Sequence, residues 1–448
     1  LWELLSQAGK RSIVINVPVT YPPKPINGWL VSGMLTPGLD SQFTYPRELK
    51  EEILQHVDYE IFVYPRTYWQ KGALEFVRDL IRVEQTHLAT ALHLAEQRDW
   101  DFLMVHVQST DTLQHMLWDR LHSLSQTAHP DDDLGRVILE FFATIDQGIH
   151  QLGQLLDSAD HFILLSDHGF GPVSHTFHIN DWLMREGFLT PRILGTPLRA
   201  LRQAKQALKK MDVLNVRLRS GFLHRNSPLQ RVKRLEQASV FDWTRTEAFA
   251  LMGSSCAGVY VNLEGREHNG IVPRNQYEKV RQALIDGVQE VDALGTVRAY
   301  RREDLYSGSS LDSMPDVVVI PEDGYHIATA LSDSGDYLSP CKVQTGEHRM
   351  DGVLIIQSDG VKPRSDEIAV VQATIFDIAP TVLRLFGLPV PADMDGKVLI
   401  NNADWAPLVV EPTPESTTRA ELSGQPEPYS REDEEEIRQR LADLGYMD

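Results

Sequence analysis

Cysteine is almost missing from this chain: 448 residues contain two, Cys256 and Cys341. They lie far apart and without metal-ligand spacing, which argues against a disulfide framework and against a thiolate metal site. Long apolar runs are missing too. No stretch of about 18 apolar residues occurs, so no transmembrane helix is expected. The longest candidate, "IFDIAPTVLRLFGLPVP", carries Asp377, Arg384 and two interior prolines. Positive charge is scarce. Lys and Arg number 43 against 63 Asp and Glu, a formal net charge of -20, which argues against a nucleic-acid platform over the whole surface. No signal-peptide pattern is present, and a cytoplasmic location is the matching expectation. The first residue is Leu1 rather than Met, inside what reads as a helix, so a preceding segment is expected.

What is present is ordinary globular material. The apolar fraction is 42 %, enough for a sizeable core. At roughly 150 residues per domain, the length implies two to three domains or one large α/β domain with insertions. No internal repeat is visible. "LWELLSQAGKRSIVINV" reads as a helix, a stop at Gly9 and a buried strand at Ser12–Val17. A long amphipathic helix follows around Leu74–Gln97, then a strand at Phe102–Gln108, a helix at about Val137–Leu156 and a strand at Phe162–Ser166. Strands alternating with helices of this length predict an α/β fold: a mostly parallel central sheet with helices on both faces.

The pattern changes after Pro191. Residues 191–314 read as an inserted cap between core segments 1–190 and 315–404, with the main sheet resuming at the strand Pro315–Ile320. A second late strand is "GVLIIQS", Gly352–Ser358. Arg199–Arg234 is rich in Lys and Arg; it reads as a solvated helical face, the alternative being positive potential near an anionic substrate. Residues 405–448 read as a Pro- and acid-rich linker plus a short C-terminal helix, with Ser430 and Asp433 fitting a capping box.

Two strand ends carry chemistry-bearing residues. In "VHVQSTDTLQH", a helix starting near Thr110 puts Asp111 and His115 at i and i+4, on one face and one turn apart. A carboxylate and an imidazole so placed can share a divalent ion. In "HFILLSDHGFGP", an apolar strand delivers Asp167 and His168 into a turn made by Gly169 and Gly171. In parallel sheets, ligands bind beyond the carboxyl ends of strands. Each residue also has a structural reading: Asp111 as a helix N-cap, His115 as a surface residue, Asp167 as a loop cap. A third candidate ligand is His348 in the Gly-flanked loop "TGEHRMDG". His106 reads as core, His87 and His93 as solvated helix positions. His175 and His178 are possible cleft residues that no spacing demands.

In this order, "STDTLQHMLWD", "LLSDHGFGP", "FHINDWL", "FDWTRTEAFA", "GEHRMDGVLI" and "IFDIAPTVLRLFGLPVPADMDGKVL" resemble the alkaline phosphatase superfamily. Within it they resemble the type I phosphodiesterase/nucleotide pyrophosphatase branch, and the matching pieces spread over nearly the whole chain. The resemblance implies an alkaline phosphatase-like fold and a site for two divalent ions, Zn first and Mn or Mg next. It assigns Asp111, His115 and His348 to one ion. It assigns Asp167 and His168 to the other, together with an aspartate and a Thr or Ser nucleophile expected before Leu1. Ser109 and Thr110 do not match the nucleophile's motif position. The implied activity is phosphoester hydrolysis of a small anionic substrate, most of all a phosphodiester, through a covalent phospho-enzyme. The alternatives are a phosphomutase, phosphomonoesterase or sulfatase on the same scaffold, or a catalytically incompetent fragment or binding module. The sequence carries no signal for oligomeric state.

Overall fold

The computed structural model describes residues 1–126, 130, 132–157, 160–192, 241–251, 255–292, 295, 297–358 and 372–399. The basic stretch at 199–234 and the tail at 405–448 lie outside the described residues. Two compact units emerge. The first comprises Leu1–Phe170 and the described residues from His348 on; the second comprises Gly171–Glu347.

The first unit is built on strands β1 (Ser12–Val17), β2 (Gly28–Ser32), β3 (Thr44–Tyr45) and β4 (Phe102–Val105), in the order β3-β2-β1-β4. β1 pairs parallel with both β2 and β4, while β3 joins β2 antiparallel. The continuous apolar run of β1 follows from its central place: Ile13, Val14 and Ile15 are fully buried. Helices α1 (Trp2–Gln7), α2 (Leu49–His56), α3 (Arg66–Lys71), α4 (Ala73–Gln97), α5 (Ser109–Ser125) and α6 (Asp133–Gly153) complete this part. Two apolar clusters meet on α4. Phe76, Val77 and Leu80 pack with Leu113 of α5 and Ile138 and Phe141 of α6. Further along, Ala91 and Leu94 pack with Ile13 and Ile15 of β1.

β5 (His161–Leu165) does not extend the parallel sheet. It pairs antiparallel with the strand Leu354–Ser358, Leu165 opposite Leu354 and His161 opposite Ser358. An apolar run predicts a strand but not its partner, and this partner lies far along the chain.

The second unit follows from β6 (Gly169–His178) and α7 (Ile179–Arg185). It holds β7 (Ala248–Leu251), β8 (Ala257–Val261), α8 (Tyr277–Asp292), β9 (Val297–Arg301), β10 (Val317–Pro321) and β11 (Gly324–Ala328). β7, β8, β10 and β9 form one sheet in that order, every pair antiparallel. The strand expected at Pro315–Ile320 therefore forms, but inside this antiparallel sheet rather than as the resumption of the parallel one. Residues 171–347 also take in more chain than the cap expected at 191–314. The core here contains Phe177, Trp182, Val259, Leu284 and Val317. The fold is mixed α/β with several sheets. Cys256 and Cys341 are both free thiols. Among the described residues no helix is long and apolar enough to cross a membrane.

Candidate metal centre

The expected helix after β4 starts at Ser109, so Asp111 and His115 share one face. His115 is buried and Asp111 partly so. His348 reaches the same point from a distant part of the chain. Its Nε2 lies 3.0 Å from Asp111 Oδ1 and 2.9 Å from His115 Nε2, and His115 Nε2 lies 3.5 Å from the same Oδ1. Three donor atoms on a tetrahedral ion at zinc-ligand distances stand about 3.3 Å apart, the edge set by bonds of 2.0–2.2 Å. Oxygen and imidazole donors without thiolate suit Zn, Mn or Mg. Among the described residues these three form the group whose donors converge closely enough to share one ion.

The loops are pinned so that this meeting can occur. The antiparallel ladder brings the end of β5 beside Leu354. Ser166 N–H donates to the carbonyl of Val353 at 3.0 Å, and Val353 N–H donates back to Ser166 Oγ at 2.9 Å. Glycine is required on both sides of the junction. A Cβ on Gly169 would stand 1.9 Å from the Asp351 carbonyl oxygen, and one on Gly352 would stand 2.5 Å from Ser166 Oγ. The D-H-G motif thus owes its glycine to close backbone approach.

His168 lies at the edge of the triad. Its ring stacks on that of His348 with centroids 3.8 Å apart, and its Nε2 is 3.8 Å from Asp111 Oδ1. His168 Nδ1 faces the carbonyl oxygen of Gly169 at 3.1 Å. A carbonyl only accepts, so Nδ1 donates, and the neutral ring carries its lone pair on Nε2, as a ligand must. Asp167 is the outermost member. Its side chain is 67 % exposed, and Oδ1 accepts the His168 N–H while standing 3.6 Å from His168 Nε2. Asp111, His115 and His348 are thus brought together, His168 adjoins them, and Asp167 stays at the solvent edge.

Burial alone would raise the Asp111 carboxyl. The hydrogen bond with His348 and the His115, His348 and His168 imidazoles outweigh it and hold the group below the usual carboxylate range. The second Asp111 oxygen, Oδ2, accepts from Gln108 Nε2 at 3.1 Å. Phe170 closes one side with its edge toward the His115 and His348 rings, at 4.8 and 5.1 Å between centroids.

Other histidines divide differently from the expectation. His87 is 1 % exposed, not solvated. Its Nε2 donates to the Glu60 carbonyl and its Nδ1 meets Asn16. His93 is half-buried against Glu52 and stacks on His56. His106 lies just past β4; burial pushes its imidazole pKa down, and Asp167, Glu84 and Asp111 offset part of that. His175 and His178 belong to the second unit, where His178 bonds Ala330 and Ser339. Sequence reasoning missed Gln108, Phe170 and the buried pair Glu84 and His87. The last two were readable: they sit four and seven residues after Leu80, on the apolar stripe of α4.

A family profile described as type I phosphodiesterase/nucleotide pyrophosphatase matches residues 1–352. No curated protein sequence matches the chain. Among solved structures, human ectonucleotide pyrophosphatase/phosphodiesterase 5 is similar at 13 % identity and TM-score 0.33, over 68 % of this chain and 59 % of that one. Its murine counterpart in complex with AMP gives 14 % and 0.36, with the same coverage. Phosphonoacetate hydrolase from Sinorhizobium meliloti, in complex with phosphonoformate, gives 11 % and 0.39, over 82 % of this chain and 70 % of that one. The chain thus spans 59 % of the length of the two ectonucleotide enzymes.

Proposed function

Because this chain belongs to the type I phosphodiesterase/nucleotide pyrophosphatase family, matched over residues 1–352, we propose that it is a divalent-metal-dependent phosphoester hydrolase acting on a small anionic phosphodiester. Asp111, His115 and His348 would hold one ion. Asp167 and His168 would contribute to a second. The observation that carries this reading is the convergence of the Asp111, His115 and His348 donor atoms at 2.9–3.5 Å. On this reading the first unit is the alkaline phosphatase-like core.

A divalent ion in such a site supplies positive charge to phosphoryl and leaving-group oxygens. The chain's own residues do the rest. Gln108 fixes the second Asp111 oxygen, so that Oδ1 faces the histidines. Phe170 shields the His115 and His348 rings from water, which strengthens electrostatic interactions there. The Gly169 carbonyl holds His168 in the tautomer whose Nε2 can coordinate. No nucleophile role falls on the hydroxyls beside the triad: Thr110 Oγ1 donates to the Val107 carbonyl, and Ser109 is 2 % exposed.

The test pairs metal binding with turnover. The protein is expected to bind Zn2+ and to hydrolyse bis(p-nitrophenyl) phosphate only with a divalent ion present. Both properties should vanish in His115→Ala and His348→Ala. Hydrolysis that survives exhaustive chelation, or unchanged Zn2+ binding in both variants, overturns the reading.

A further inference from the structure

α5 carries two members of the triad, yet its own N-terminus has no side-chain cap from Gln108, the residue before it. The first N–H groups of a helix need acceptors, and this end is buried: Ser109 is 2 % exposed. The acceptor comes from another helix. Glu84 of α4, with no exposed surface, takes the Ser109 N–H on Oε1 at 3.0 Å. A buried carboxylate thus sits at the positive end of the α5 dipole.

A fixed histidine stands beside Glu84. His87, one turn on, donates from Nε2 to the Glu60 carbonyl at 2.8 Å. Asn16 of β1 donates from Nδ2 to the His106 carbonyl at 3.0 Å, which fixes its amide orientation. The same amide lies 3.1 Å from His87 Nδ1, which therefore accepts. Glu84 Oε2 has no hydrogen-bond partner, and His87 Nδ1 stands 3.5 Å from it. Beside His87, the Glu84 carboxylate thus meets the N-terminus of the helix that carries Asp111 and His115. Two residues beyond Ser109 stands Asp111, and a turn later His115. A helix moves as a rigid piece, so a shift at Ser109 displaces both donors relative to His348.

We propose that Glu84 is a positioning residue. Its carboxylate anchors the N-terminus of α5 and so sets the spacing of Asp111 and His115 against His348. This rests on the metal-site reading above and adds to it a residue that touches none of the three ligands. Metal sites tolerate little looseness: constellations work within about 0.5 Å, and outer partners of ligands are worth roughly 10–100-fold in affinity.

The test measures Zn2+ affinity by chelator competition in Glu84→Ala, Glu84→Asp and Glu84→Gln. Ala deletes the acceptor and Asp withdraws it by one methylene while keeping the charge. Both should weaken binding about 10-fold or more. Gln retains an acceptor oxygen and should restore affinity to within about 3-fold of the wild type, a factor below the loss expected for an outer partner. Leu94→Ala is the control for general destabilisation: Leu94 is fully buried on the same helix but packs toward β1. It should lower Tm and leave Zn2+ affinity unchanged. If Glu84→Ala lowers Tm yet binds Zn2+ as the wild type does, Glu84 is only structural and the proposal fails. Equal losses in Gln and Ala also overturn it. Should Ala not fold, Asp and Gln decide the matter. Hydrogen exchange at Ser109–Thr112 supplies a readout independent of metal, with faster exchange expected in Ala and Asp but not in Gln. A wild type that binds no Zn2+ sinks the metal-site reading, and the exchange arm still judges the anchor.

Discussion

Each unit contains an aspartate withdrawn from most solvent, fully in Asp316 and partly in Asp111, and their surroundings are opposite. Asp316 in the second unit is saturated. Arg266 meets both its oxygens at 2.7 and 2.6 Å, Tyr277 donates its hydroxyl to Oδ1, and the Val261 N–H donates to Oδ2 at 2.7 Å. Arg281 continues the network, bound through two nitrogens to Glu303. The partners are permanent cations or fixed donors. Asp111 in the first unit faces imidazoles, groups that can lose their protons and present lone pairs. A carboxylate locked by guanidinium has no capacity left for an ion and serves the fold. A carboxylate facing imidazoles has partners whose lone pairs can share an ion with it. Burial alone does not separate the two; the chemistry of the partners does.

That contrast can be broken at either end. The largest effect is expected from Asp111→Ala, which should weaken Zn2+ binding by more than about 100-fold, beyond the range for outer partners, in a chelator competition assay. Its urea midpoint should move little. Next comes Asp316→Ala. It leaves Arg266, Tyr277 and the Val261 N–H without their shared acceptor, and should cost about 3 kcal/mol of stability by urea denaturation while Zn2+ affinity holds. Loss of metal binding in that variant, with the fold intact, would erase the distinction between the two aspartates. Gln108→Ala should have a smaller effect, close to 10-fold in Zn2+ affinity, because it frees one Asp111 oxygen and removes no ligand.

The smallest effect is a pH dependence. Burial raises the Asp316 carboxyl, but its bonds to Arg266, Tyr277 and Val261 outweigh that and hold it below the usual range. Arg281 draws Glu303 down to about 2 against the opposing effect of burial. For carboxyls depressed in the folded state, stability is full above the unfolded-state value and is lost as pH falls through the folded one. The urea midpoint should therefore decline on acidification below the ordinary carboxylate range. Asp316→Asn should show a shallower decline. An identical slope in the variant would remove Asp316 from the acid response.

Local features were legible in the sequence. The buried run at Ser12–Val17 formed as expected, and the i, i+4 spacing placed Asp111 and His115 on one helical face. The family resemblance, too, is matched by the profile over residues 1–352. His348 was a candidate from its Gly-flanked loop, but the resemblance alone joined it to Asp111 and His115, since nothing local ties a loop histidine to a helix so distant in the chain. Long-range pairing stayed hidden for the same reason. Pro315–Ile320 and the β5 run both read as buried strands, and an apolar run fits a buried strand of either polarity. His87 was misread because its type suggests solvent, while its position on α4 is dictated by two clusters packed along that helix. Glu84 was lost with it.

The ladder between β5 and Leu354–Ser358 has a consequence for how such a protein can diversify. It makes a hairpin whose loop is an entire folded unit. The cost of closing a loop grows only logarithmically with its length, about 0.6 kcal/mol for each doubling. Material between Phe170 and His348 can therefore lengthen, shorten or be exchanged at small energetic cost, provided the rungs from Leu165–Leu354 to His161–Ser358 survive. The hairpin stem keeps His168 and His348 together whatever its loop contains. One unit can thus change while the side chains gathered in the other keep their places.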